Sequence, residues 1–358
     1  MRRTHALAIF ISALALIGLS GCAGLPSNGA AGSSGPGTKD VVLVTHDSFA
    51  LPKKVIADFD RTSGYHLVVR SSGDAGALTT SLVLSAGNPD GDVSFGVDNT
   101  FASRALDNGV FAPYTPAHLP AGVAQFDLPG DNGSHLTPID NGGVCVNIDT
   151  TWFAAHHLAD PASLGDLIKP TYKNLMTIPG ATTSSPGLAF LLATIAKYGT
   201  SAGGGWQSYW AQLIANGAKI TDGWDQSYNV DFTQGGGHGD RPIVVSYDSD
   251  PAYTVKNGVT STRALLDTCF GQVEYAGVLA GAKNPAGAKA FVDFMLSRVV
   301  QEALPTSMYV FPVVKGTTLP ATWAKFARRP TTTLQVSPST IEHDRDTWLQ
   351  QWSDIISK

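Results

Sequence analysis

Basic residues are scarce in this 358-residue chain, with 24 lysines and arginines against 29 aspartates and glutamates and a formal net charge of −5. That balance argues against a nucleic-acid partner, because neutralising a phosphate backbone calls for a basic face. Cysteine is rarer still, at Cys22, Cys145 and Cys269 alone. An oxidising compartment would allow Cys145 and Cys269 to pair, and two buried free thiols fit the sequence equally. After Leu19 no apolar run is long enough to span a bilayer. The run before it, Ala6 to Leu19, has roughly 14 residues where a span needs about 20. No H-E-x-x-H spacing occurs, and the neighbours His156 and His157 near Asp160 point in different directions. Neither a metal nor another cofactor is therefore expected.

What is present begins with Met1-Arg2-Arg3, the short apolar run, and Leu19-Ser20-Gly21-Cys22. A basic start, an apolar core and small residues before a cut describe a secretory signal peptide over residues 1–21. The last four residues resemble the bacterial lipobox, in which the cysteine thiol receives a diacylglycerol. Cys22 is thus the expected lipidation site, and the expected address is the extracytoplasmic face of a membrane. Removing residues 1–21 takes away Arg2 and Arg3 and no acid, so the formal charge falls from −5 to −7. Residues 22–39, mostly Gly, Ser, Ala and Pro, bury too little apolar surface to fold and read as a flexible tether.

From Val41 the pattern changes. Strands are predicted over 41–44, 65–70 and 92–97, alternating with helices over 52–60, 77–85 and 99–107. Strand–helix alternation at this spacing implies βαβ units and a parallel sheet. Further strands are predicted over 144–148, 175–178, 243–247 and 270–278, and helices over 186–198, 206–216 and 285–295. A last helix is predicted over 339–355, with Trp348 and Trp352 at i,i+4. About 320 residues exceed the usual single core, so two α/β lobes are expected. Open parallel sheets bind ligands beyond the carboxyl ends of their strands, which points to 45–49, 71–76 and 98–100. Gly199-Thr200-Ser201-Ala202-Gly203 matches G-x-S-x-G, but it follows a helix rather than a strand and reads as a loop. An extracytoplasmic hydrolase is accordingly the least supported class.

Several segments resemble the thiamine-binding proteins of bacterial ABC importers. They are Thr45-His46-Asp47-Ser48-Phe49, Phe95-Gly96-Val97-Asp98-Asn99, Thr183-Ser184-Ser185-Pro186-Gly187-Leu188 and Gly223-Trp224-Asp225-Gln226-Ser227-Tyr228. Ser246-Tyr247 with Pro251-Ala252-Tyr253, Gln272-Val273-Glu274, and Pro305-Thr306 running to Phe311-Pro312-Val313 complete the set. All fall in the family's order along the chain. The resemblance implies a type II periplasmic-binding-protein fold whose two α/β lobes are joined by a hinge, with crossings near Asn141 and Gln272. Lobe 1 would take residues 40–140 and about 275–325, lobe 2 residues 141–274, and a helical segment residues 326–358.

The resemblance also implies a non-enzymatic receptor, a monomer, that delivers thiamine or thiamine phosphate to an ABC transporter permease. The same fold can carry another solute, such as a polyamine or ferric ion. Carried over position by position, the ligand-binding residues are His46, Asp74, Ser184, Ser185, Trp224, Tyr247, Tyr253 and Tyr309. Aromatic faces hold a quaternary cation such as thiazolium at about 0.5–2 kcal/mol per contact. Asp74 could offset the charge or cap the helix that follows. Ser184 and Ser185, ahead of Pro186 at a helix start, could cap it, hold a phosphate, or do both.

Overall fold

A computed structural model of the chain describes residues 39–200, 204–236 and 238–358. The signal peptide, Cys22 and the tether as far as residue 38 lie outside the described residues, as do Ser201, Ala202 and Gly203.

Eleven strands are present among the described residues: β1 Asp40–Thr45, β2 His66–Ser71, β3 Val93–Asp98, β4 Thr137–Asp149, β5 Met176–Pro179, β6 Lys219–Thr221, β7 Ile243–Tyr247, β8 Val255–Lys256, β9 Val259–Thr260, β10 Thr262–Val278 and β11 Phe311–Pro312. Nine form one sheet in the order β2-β1-β3-β10-β4-β7-β5-β6, with β11 against β4, while β8 and β9 make a separate hairpin. β1 pairs in parallel with β2 and β3, and β5 in parallel with β6 and β7. The expected parallel sheet therefore exists twice. Between the two halves lie antiparallel pairs, β3 with β10, β10 with β4, and β4 with β7.

The middle departs from the parallel expectation because two long strands belong to both halves. β4 has 13 residues and β10 has 17, roughly 40 and 55 Å at about 3.3 Å per residue. They pair directly at the residues where a crossing was expected: Asn141 faces Val273, and Gln272 faces Gly142. β11 joins them there, with Phe311 opposite Asn141.

Buried apolar side chains explain why these segments hold their places. Every residue of the helix Ser185–Tyr198 from Ser185 to Ile195 is buried, so this helix packs on all sides. The helix Pro338–Ile356 turns Ile341, Trp348 and Trp352 inward, and Trp352 meets Trp210 edge to face at 5.7 Å. Among the elements not singled out from the sequence are the helix Arg298–Ser307, the π-helix Gln226–Asp231 and the β8–β9 hairpin.

Cys145 and Cys269 form a disulfide, which resolves the alternative that the sequence left open. It ties β4 to β10 where the β10 register slips between Leu265 and Phe270. Replacing both cysteines with alanine is expected to cost about 4–5 kcal/mol, the loop-closure value for a separation of 124 residues. A guanidinium titration reads this as a lower midpoint. An unchanged midpoint would mean that the bridge constrains nothing in the unfolded chain.

Candidate functional site

The carboxyl ends of β1, β2 and β3 converge on the site, as the open-sheet rule requires. His46 follows β1 directly and is only 8% exposed. Its ring lies 5.5 Å from that of Phe95 and crosses β3 at Gly96. Gly96 has φ +105°, and a Cβ there would overlap the imidazole, so only glycine admits the ring. His46 Nε2 stands 3.4 Å from Glu274 Oε1 on β10. Burial pulls the imidazole down, but Glu274, Asp74 and Asp225 outweigh it and hold it above its ordinary 6.5.

Asp74 caps the helix Ala75–Leu84, its Oδ1 accepting from the Ala75 amide at 2.6 Å. The Trp224 amide donates to its Oδ2 at 2.8 Å, bridging to the other half of the sheet. One carboxylate thus fixes a helix and a distant loop together. Burial raises the Asp74 carboxyl above its usual range, against the Trp224 amide, the Ser184 hydroxyl and the Ala75 amide. Burial likewise pushes Asp98 up to about 6, against the Thr100 and Ser185 hydroxyls. Glu274 sits between Asp98 on β3 and Asp140 on β4, directly opposite each in register. Burial and the Glu274 charge hold Asp140 well above an ordinary carboxyl.

The aromatic side is built on the other half of the sheet. Trp224 stacks on Tyr228 with centroids 5.0 Å apart and planes 11° from parallel. Its indole N–H donates to Ser246 Oγ at 2.8 Å, which fixes the ring edge-on to β7. Tyr247 ends β7, and its hydroxyl accepts from Gln272 Nε2 at 3.2 Å. Tyr253 meets Tyr228 at 6.1 Å and Tyr309 at 4.5 Å. Tyr309 has φ +56°, a conformation that costs a non-glycine residue energy and is typical of functional segments.

These groups enclose two adjoining cavities that share Ser48, Trp224 and Met308. The inner one, about 30 Å³, is lined by His46, Asp74, Ser185, Tyr247 and Glu274. The outer one, about 290 Å³, is lined by Asp47, Asp225, Tyr228, Asp250, Tyr253 and Tyr309. The outer space alone approaches the ~300 Å³ at which small-molecule sites begin. No lysine or arginine lines either cavity among the described residues. Burial pushes Asp250 up to about 8, against the Ser246 hydroxyl and the Tyr247 amide.

Seven of the eight residues expected at the site therefore line one or both cavities. Ser184 does not. It is fully buried behind Asp74, beside that carboxylate. Glu274 and Tyr228 line the cavities but were not singled out from the sequence. Tyr228 follows Trp224 at i+4, a spacing that could have marked it. Glu274 is the one charge in the mostly buried stretch of β10 from Thr268 to Val278, which is itself a signal.

Residues 91–328 match the family described as bacterial extracellular solute-binding protein. The chain is 29% identical to a thiamine-binding periplasmic protein of Escherichia coli K12, over 89% of its own length and 94% of that protein's. A thiamine-binding periplasmic protein of Brucella melitensis biotype 1 is 28% identical over 89% of this chain and 92% of its own. The solved structure of a periplasmic thiamin binding protein matches with a TM-score of 0.76 at 28% identity, covering 89% of this chain and 96% of that one. The chain belongs to the bacterial extracellular solute-binding proteins and has their type II fold, two α/β lobes joined by a hinge.

Proposed function

We propose that the protein is an extracytoplasmic receptor that captures thiamine between its lobes and hands it to an ABC importer. The observation that carries this reading is the pairing of a continuous aromatic wall, Trp224 to Tyr309, with carboxylates and no basic lining residue but His46. A permanently charged thiazolium beside a flat aminopyrimidine needs that combination, since ring faces attract the cation and carboxylates offset it. The names of the relatives support the same ligand. Residues 40–140 with about 275–325 would form one lobe and residues 141–274 the other, with residues 326–358 as a helical segment. Closure would turn on β4 and β10 near Asn141 and Gln272. In this reading the protein binds and does not catalyse, and it acts as a monomer.

The lipid on Cys22 and the tether that follows would hold the lobes near the permease. A tethered receptor reaches its importer at a concentration set by linker length rather than by diffusion. Mass spectrometry of the mature protein tests this through a diacylglyceryl cysteine at its new N-terminus.

Calorimetric titration with thiamine, spermidine and ferric citrate separates the ligand classes. Saturable heat with thiamine alone is expected. Trp224→Ala should weaken that binding by about tenfold or more, since it removes a ring face worth up to about 2 kcal/mol. Saturation by spermidine or ferric citrate with no response to thiamine would transfer the site to another solute.

A further inference from the structure

Arg345 is the only buried lysine or arginine among the described residues, at 4% exposure. Its Nη1 donates to Ser103 Oγ at 3.0 Å, and its Nε donates at 3.3 Å to Asp346 Oδ1, on the next residue of the same helix. Asp346 is exposed, so the far end of the guanidinium rests on a neutral hydroxyl. Burial lowers the Arg345 pKa, Asp346 and Asp107 oppose that, and Arg104, from the same helix as Ser103, adds to it. An apolar side chain of similar volume usually packs as well as a buried ion, so packing does not account for this charge. Arg345 lines neither ligand cavity.

The two partners belong to different parts of the fold. Ser103 lies on the helix Ala102–Asp107, which follows β3. Arg345 lies on the helix Pro338–Ile356, which is fastened elsewhere: Trp352 meets Trp210, and Gln207 Nε2 donates to Gln351 Oε1 at 3.2 Å. The chain just before that helix is tied to β10, β4 and β11. The Leu334 amide donates to the Cys269 carbonyl at 2.8 Å, while Arg329 donates to Asn141 and lies 4.7 Å from the centre of the Phe311 ring. Among the described residues, Arg345 to Ser103 is the one side-chain hydrogen bond from the helix to residues 40–140. Beside it a cleft of about 630 Å³ opens, with Asp107 and His135 on one side and Ser339 and Glu342 on the other.

We infer that Arg345 and Ser103 form a latch between the lobes: the helix Pro338–Ile356 moves with residues 141–274, and its hydrogen bond to Ser103 is made only when the lobes close. The inference rests on the proposed lobes and their closure, and not on which solute closes them. A contact present in one conformer alone shifts the balance toward that conformer by its own free energy, so this one raises affinity without touching the ligand. On opening, the guanidinium meets the water of the widened cleft, and closing trades that water for Ser103. The side chain at position 103 therefore sets how readily the lobes stay closed.

Substitutions of opposite sign at position 103 test this. Ser103→Ala leaves a charged donor buried and unpaired in the closed form, and should weaken thiamine binding by about tenfold, mostly through faster dissociation. Ser103→Asp places a carboxylate against the guanidinium and should slow dissociation by about threefold or more. Stopped-flow tryptophan fluorescence reads the rates. Spin labels at Leu84→Cys and Val230→Cys, both exposed positions, read the separation of the lobes without ligand. Ser103→Asp is expected to enlarge the short-distance population of the ligand-free protein. Dissociation rates within about twofold of the parent in both variants, or shifted in the same direction, would overturn the latch. If the parent gives no response to thiamine, the ligand reading fails and the label distances decide the latch alone: a distribution unchanged in Ser103→Asp overturns it.

Discussion

Asp74→Ala is expected to weaken thiamine binding by about a hundredfold, the largest effect of any single substitution in the site. Three losses act together. The cation loses a buried counter-charge, and hydrogen bonds to charged groups are worth about 1.5–3 kcal/mol. The Trp224 amide loses its acceptor at 2.8 Å, so the loop carrying the main aromatic face is released. The helix Ala75–Leu84 loses its cap, at about 1 kcal/mol. Asp74→Asn removes the charge but keeps a single acceptor oxygen, so it holds either the Ala75 amide or the Trp224 amide and not both. It should lose more than about tenfold and less than Asp74→Ala, the charge together with one of the two amide bonds. Affinity within about threefold of the parent in Asp74→Ala would remove this carboxylate from the site.

The double duty of Asp74 bears on how far the sequence could be read. Cap and ligand group were competing readings of one residue, and the geometry makes the cap real without using up the side chain. Oδ1 serves Ala75, Oδ2 serves Trp224, and the carboxylate still lines the inner cavity. Residues at the carboxyl ends of β1 to β3 were legible for a simple reason. Short β-branched runs locate the strands, and topology then puts the next few residues at the rim. The predicted strand at 243–247 matches β7 residue for residue, because Ile243-Val244-Val245 is a bounded, buried β-branched run.

The antiparallel middle was harder to read. β4 carries Asp140, Asn141, Gly142 and Gly143, and β10 carries Gly271, Gln272 and Glu274, where a core strand would normally show apolar alternation. In β4 these residues cut the prediction to 144–148, whereas the 270–278 prediction contains Gly271, Gln272 and Glu274 and misses the start of β10 from Thr262 to Cys269. The same residues sit where β4 and β10 pair, and Glu274 among them lines the inner cavity. Tyr228 was hidden differently. It lies on the π-helix Gln226–Asp231, so its i+4 spacing from Trp224 is not part of a longer 3.6-residue pattern.

Thiamine affinity is expected to rise with pH between about 5 and 8, by up to about tenfold per unit where His46 titrates. Without ligand, Glu274, Asp74 and Asp225 favour the protonated imidazole and hold its pKa above 6.5 despite burial. A cation bound in the same cavity competes for those carboxylates and favours the neutral ring. Below the raised pKa, binding must therefore expel a proton, and affinity falls as pH drops. Asp74 acts in the same direction at lower pH: burial raises its pKa, so the counter-charge is lost sooner than on an exposed carboxyl. Stability attributable to His46 runs the opposite way, being complete below 6.5 and lost as pH rises through the raised folded value. Titrations in two buffers of different ionisation enthalpy would measure the released proton directly. His46→Phe keeps an aromatic face against Phe95 and should remove the His46 portion and its proton release, leaving the Asp74 portion and the portion from Asp250, which burial pushes up to about 8. A flat parent profile from pH 5 to 8, with no proton released, would mean that the cation never faces the His46–Glu274 pair.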